Sequence, residues 1–230
     1  MIAEWKVDFR SGIIYLLWIT NLKFHQQSCN HVFMYSTLIF AQNRICNKMF
    51  SWISKFILWL MGWKITGHYP RELSKVVIAV APHTGTIDFP IGVLVNSAGR
   101  FRANYVGKHT LFKPPFGFFF RWVGGIPVDR SKNHNFVAAT VEAFEREKRI
   151  HLVIAPEGTR KKVGKLKSGF YHIARLAKVP ICLCKFDFAT KEVFFDPELF
   201  YPTDNEAADM QFIWDYYKGV QGANPEKGIL

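Results

Sequence analysis

The sequence predicts an α/β domain, a mostly parallel central sheet flanked by helices, preceded by an N-terminal amphipathic helix. Three observations carry this expectation. From residue 75 onward, short apolar runs alternate with longer segments of helical period. The runs are bounded by Pro and Gly, and no internal repeat interrupts the alternation. The 230 residues, 49% hydrophobic, are enough for one cored domain with an appendage.

Taken in order, residues 1–48 show neither a two-residue nor a 3.6-residue period. They read either as an irregular extension ahead of the native start or as a membrane hairpin built from 12–22 and 31–41. No signal peptide is evident, because Glu4 and Asp8 break the first ten residues. The apolar runs "GIIYLLWIT" and "VFMYSTLIFA" fall short of the roughly 18 residues a spanning helix needs. Residues 49–66, opening "MFSWISKFILWLMGW", set Ser51, Ser54 and Lys55 on one side of a helix. Phe50, Trp52, Ile53, Phe56, Ile57, Trp59, Leu60 and Trp63 cover the rest. Such a helix is too short to cross a bilayer and long enough to lie in its interface. The alternative is a helix packed on the domain's own core.

The remaining 67–230 hold the alternating elements. "KVVIAVA" (75–81) is a buried strand ended by Pro82, and 88–99 a helix opened by Asp88 and closed at Gly99. Strands follow at 102–107 and 126–129, then a helix over 135–148 with apolar residues at helical spacing. A strand at 149–155, a helix at 168–179 and strands at 180–188 and 191–196 complete the set. The chain after Tyr201 is polar with weak signals. "LFKPPFGFFFRW" (111–122) is read as the lining of an acyl channel, a lipid-dipping segment or plain core.

A formal charge of +12 favours polyanionic partners and does not choose among nucleic acid, anionic lipid and phosphorylated substrates. Cys182 and Cys184 form a C-x-C in an apolar run, which fits neither a zinc knuckle nor a redox pair. They are expected as buried thiols on opposite faces of a strand.

Chemistry concentrates at strand ends in α/β domains, and two ends here are unusually polar, "APHTGTIDFP" and "IAPEGTRKK". His83 and Asp88 lie five apart, so they meet only if the chain between them turns back at Gly85. A carboxylate on one imidazole nitrogen leaves the other free to act as a base. "GGIPVDR" presents Arg130, whose planar fork suits phosphate. Glu157 opens "EGTRKKVGKLKSG", in which Gly158, Thr159, Arg160 and Lys167 can bind an anion ahead of the next helix. Taken singly, each stretch also reads as an ordinary surface turn or solvated loop.

Together, His83 to Asp88, Gly124 to Arg130, Glu157-Gly158-Thr159-Arg160 and Val179-Pro180-Ile181 resemble the ordered blocks of the lysophospholipid acyltransferases, the family of 1-acylglycerol-3-phosphate acyltransferases. The likeness covers about residues 49–200. It implies a catalytic dyad of His83 as base and Asp88 as its orienting acid, with Arg130, Glu157, Gly158, Thr159, Arg160 and Lys167 binding substrate. It also implies an acyl group moved from acyl-CoA or acyl-carrier protein to lysophosphatidate, with no cofactor and no metal, at the cytoplasmic face of a membrane. The alternative within the family is the same chemistry on glycerol phosphate, another lysophospholipid or a lyso-aminolipid. Membrane lipids are then the expected partners of the aromatic helix. The His block reads P-H-T-G-T-I-D and the Arg block lacks a phenylalanine, departures that bear on the acceptor more than on the chemistry. A nucleic-acid-binding protein would share the charge, but it leaves His83, Asp88 and the EGTR block idle, and no helix-turn-helix or RNP pattern is present.

Overall fold

The computed structural model describes residues 48–128 and 136–229. The expectations for 1–47 and for Arg130 fall outside these residues. A seven-stranded sheet is formed by β1 (Lys64–Gly67), β2 (Lys75–Ala81), β3 (Asn104–Lys108), β4 (Gly125–Val128), β5 (Ile150–Ile154), β6 (Ile181–Asp187) and β7 (Glu192–Phe200). Its order is β1-β7-β6-β2-β5-β3-β4. Every pairing is parallel except the β6–β7 ladder, as expected from alternating strands and helices.

Strand β2 lies centrally between β5 and β6, and its side chains divide by the two-residue period of a strand. Val77, Ala79 and Ala81 enter one core with helices α4 (Phe136–Arg146), α5 (Gly169–Ala177) and α6 (Glu206–Tyr217). Val76 and Ile78 enter a second core on the other face, with α1 (Lys48–Leu60) and α2 (Asp88–Gly99). Full burial of each such branched side chain stabilises by roughly 1.5–3 kcal/mol. A short helix, α3 (Gly117–Trp122), leads into β4. Cys182 and Cys184 share one face, in the second core, while Leu183 points to the first. The opposite-face expectation was therefore mistaken, since residues two apart on a strand lie on the same side. Burial pushes the Cys182 thiol up to about 12, so it is no thiolate nucleophile.

Two elements differ from expectation. The helix expected over 49–66 ends at Leu60, and Lys64–Gly67 instead forms the edge strand β1, parallel to β7. The polar tail contains α6, whose N-terminus is capped by the Asn205 side chain accepting the Ala208 N–H at 3.2 Å.

Helix α1 is mounted with its small polar stripe inward. Ser51, Ser54 and Leu58 are buried against the domain, and the Ser51 hydroxyl donates to Ala98 O at the end of α2 (2.9 Å). Trp52, Trp59 and Leu60 remain 69%, 72% and 72% exposed. Core burial explains Leu58 but not Trp52, Trp59 and Leu60.

Candidate active site

Parallel strands deliver their C-terminal ends to one edge of the sheet, and both polar loops emerge there. After β2, Pro82 and His83 begin a loop that turns back at the buried Gly85 and enters α2 at Asp88. The turn brings His83 Nδ1 to 2.9 Å from Asp88 Oδ2. The Gly85 N–H donates to the same oxygen at 2.9 Å. Asp88 sits in the first turn of α2, where the helix dipole favours a carboxylate, and its side chain is 2% exposed. The imidazole is 31% exposed. With Nδ1–H donating to Asp88, Nε2 carries the lone pair, and no described residue bonds it.

The second loop follows β5 and reaches across to the first. Glu157 is buried, and its Oε1 accepts the His83 backbone N–H at 2.8 Å. Its other oxygen, like Asp88 Oδ1, has no hydrogen-bond partner among the described residues. Burial pushes the Glu157 carboxyl above the ordinary carboxylate range, and the His83 N–H partly offsets that. Arg160 Nη1 donates to the Thr86 hydroxyl at 3.0 Å, a second tie between the loops. Gly158 has a left-handed backbone, φ +61°, and an added Cβ would meet the Lys167 Cδ at 2.8 Å. Glycine therefore lets the Lys167 stem lie across the turn, with its ammonium close to Gly158. Thr159 Oγ accepts the Lys161 N–H at 3.2 Å. The structure thus brings His83, Asp88, Glu157, Gly158, Thr159, Arg160 and Lys167 to one edge.

Sequence reasoning missed a third contributor, the segment after α6. Asn224 donates its backbone N–H to Thr84 Oγ at 2.9 Å and its side-chain amide to Thr84 O at 2.8 Å. Gly222 packs so closely on Thr84 that a Cβ there would lie 2.3 Å from Oγ. Upstream, the Tyr217 hydroxyl donates to Ala79 O within β2 at 2.6 Å. The Asn224 and Gly222 contacts hold the loop at Thr84, next to the residue whose backbone Glu157 engages. Asn224 carries no local motif, and nothing short of its tertiary neighbours identifies it.

A family model described as Acyltransferase matches residues 63–185, and the chain belongs to that family. The resemblance read from the four sequence blocks is thereby borne out. Among curated relatives, the 1-acyl-sn-glycerol-3-phosphate acyltransferase of Cocos nucifera is 26% identical over 132 residues, covering 55% of this chain and 42% of the relative. That of Limnanthes douglasii is 27% identical over 134 residues, covering 56% and 47%. The chain thus matches somewhat less than half the length of these relatives. The 1-acyl-sn-glycerophosphate (LPA) acyltransferase PlsC of Thermotoga maritima superposes with a TM-score of 0.52 at 14% identity, covering 88% of this chain and 90% of that one. That likeness concerns the fold.

Proposed function

We propose that the chain transfers a fatty acyl group from acyl-CoA or acyl-carrier protein to the free hydroxyl of lysophosphatidate, forming phosphatidate. The observation that carries this reading is the His83–Asp88 pair, 2.9 Å apart, with the imidazole partly exposed to solvent. His83 Nε2 takes the proton of the acceptor hydroxyl as its oxygen attacks the thioester carbonyl. The C–O bond forms, the C–S bond breaks, and the proton passes to the departing thiolate. Asp88 holds the tautomer and stabilises the imidazolium that forms. The nucleophile belongs to the substrate, so no serine of the protein is required. Arg130, Arg160, Lys167 and the Gly158–Thr159 turn are assigned to the acceptor's phosphate and glycerol. Glu157 is assigned chiefly to the posture of the His83 loop.

The same reading places the enzyme at a membrane surface, with residues 67–230 as its acyltransferase domain. Beside Trp52, Trp59 and Leu60, the exposed set includes Phe116 and Phe118, and Phe50 meets Trp122 edge-on at 6.1 Å. This apolar surface runs from α1 toward α3 and suits the acyl-chain boundary of a bilayer.

The test is an assay of the purified chain with labelled acyl-CoA against lysophosphatidate, glycerol 3-phosphate, lysophosphatidylcholine and an uncharged monoacylglycerol. Labelled phosphatidate as the dominant product supports the assignment. Preference for the uncharged acceptor overturns it.

A further inference from the structure

The catalytic loops leave the sheet at one edge, and at the other edge lies a concentration of arginine that the reaction does not use. Arg71 precedes β2, Arg100 and Arg102 precede β3, and Arg149 precedes β5. Because these strands are parallel, all four residues gather where the chain enters the sheet. With Phe101 they line an open groove of about 320 Å³. It continues, through Arg71, Arg100 and Phe101, into a second groove of about 510 Å³ lined by Ser51 and Lys55 of α1.

Four guanidinium groups at one groove repel one another unless an anion lies between them. Among the described residues none of the four forms an ion pair. Glu72, beside Arg71, turns to His68 at 3.4 Å, and Glu147 lies 3.3 Å from Arg146. Arg71 Nη2 donates to Gly99 O, and its guanidinium lies 5.0 Å from the centre of the Phe101 ring. Arg149 Nη2 donates to Arg71 O at 3.0 Å. Arg71 and Arg149 are thereby held in place, while Arg100 and Arg102 project from left-handed backbone positions, φ 52° and 55°. Non-glycine residues adopt that conformation at a cost.

The position of the groove identifies the anion. Lys55 lines it, and on α1 Lys55 neighbours Trp52 three residues before and Trp59 four residues after. The groove therefore begins where the exposed aromatic side of the helix ends. If that side is buried to the acyl boundary, the groove lies at headgroup depth. We propose that Arg71, Arg100, Arg102 and Arg149 form a second anion site, distinct from the catalytic edge, that holds the phosphate of an anionic membrane phospholipid. The inference rests on the membrane-facing reading of α1 given above.

Vesicle sedimentation of the full chain tests it, with phosphatidylcholine vesicles and with phosphatidylcholine vesicles containing phosphatidylglycerol. Each basic residue near such a surface contributes roughly fivefold, so R100S/R102S should lose about 25-fold in affinity for the anionic vesicles. Binding to neutral vesicles, and turnover of a soluble short-chain acceptor, should stay as in wild type. A charge-matched control, K218S/K227S, removes two exposed lysines beyond α6, away from that edge, and should lose markedly less. Replacing both arginines by lysine should restore most of the loss. The aromatic variant W52S/W59S should weaken binding to both kinds of vesicle. If instead it binds neutral vesicles like wild type, the membrane reading of α1 fails, and this inference fails with it.

Equal losses in R100S/R102S and the lysine control would reduce the effect to net charge and overturn the site. Unchanged vesicle binding with a raised KM for acyl-carrier protein would assign the arginines to that acidic partner and overturn the lipid assignment. Displacement of the protein from anionic vesicles by inorganic phosphate, at matched ionic strength, would make the ligand a free phosphate and overturn it equally.

Discussion

Glu157, at the end of one strand, accepts the backbone N–H of His83, at the end of its neighbour, at 2.8 Å. The two loops that carry the site's polar groups are therefore joined through the backbone of the proposed base itself. A residue whose motif reads as a substrate ligand is engaged, through one of its two oxygens, in holding the catalytic loop.

Glu157→Ala should accordingly act on kcat more than on KM. Loss of one hydrogen bond to a charged group costs roughly 1.5–3 kcal/mol, about 10- to 150-fold in rate if it is made fully in the transition state. Glu157→Gln keeps an acceptor and should recover much of the loss. A pure KM effect in Glu157→Ala would place the residue on substrate instead.

The clamp from the C-terminal segment should behave as a positioning device. Asn224→Ala removes the side-chain N–H that donates to Thr84 O, and Gly222→Ala drives a methyl group into the Thr84 hydroxyl. Both should lower kcat, Gly222→Ala more severely, while leaving KM for donor and acceptor near wild type. Thermal melts locate any global effect. One neutral hydrogen bond is worth about 0.5–1.5 kcal/mol, so Asn224→Ala should remain folded at assay temperature. Wild-type kcat in both variants would mean that the segment merely covers the loop.

Arg160→Ala should raise KM for a phosphate-bearing acceptor, by roughly 10-fold or more, and hardly affect an uncharged one. Its 3.0 Å bond to the Thr86 hydroxyl makes the comparison informative. Equal damage with both acceptors would show that Arg160 serves the loop–loop tie rather than the phosphate.

Much of this architecture was legible in the sequence because the central strands are apolar on both faces and the helices between them are periodic. The bounds 88–99 agree with the structure, although the N-cap is Ile87 with no side-chain cap bond and the left-handed C-cap is Arg100 rather than Gly99. The misreadings have physical causes. The helical pattern of 49–66 ran past Gly62, where φ is +78° and the Trp63 N–H bonds back to Leu58 O at 2.8 Å, a helix stop visible as glycine in the sequence. β1 has only four residues, and its partner β7 lies more than a hundred residues away, so no local window reports it. Helix α6 buries just Asp209, Ile213 and Tyr217, which leaves little apolar periodicity to detect, although Asn205 and Glu206 mark its start. The His83–Asp88 pair was readable as two residue types across a glycine turn. The Glu157–His83 and Asn224–Thr84 bonds were not, because each uses the backbone of its partner, which has no sequence signature.

A buried histidine outside the site sets a pH dependence of stability. His151 is fully buried on β5, with Nδ1 2.6 Å from the Tyr69 hydroxyl and Nε2 2.8 Å from Leu73 O. Burial holds its pKa below the ordinary 6.5, only partly offset by the Leu73 carbonyl. The unfolded chain therefore binds the proton first. The contribution to stability is present above about pH 6.5 and is lost as pH falls through the folded-state value, with a limiting slope of about 1.4 kcal/mol per pH unit. Urea midpoints of wild type and His151→Leu should converge as pH falls through this range. Parallel curves would show that His151 does not titrate on unfolding.

The central claim is that His83 removes the acceptor proton, and single-turnover acyl transfer to lysophosphatidate by purified His83→Ala tests it most directly. Positioned general-base catalysis supplies about 10²–10⁴ in rate, so the account predicts a loss of at least that order with donor binding and melting temperature unchanged. Asp88→Asn should retain a small residual rate. Phosphatidate formed by folded His83→Ala at the wild-type rate would contradict the account.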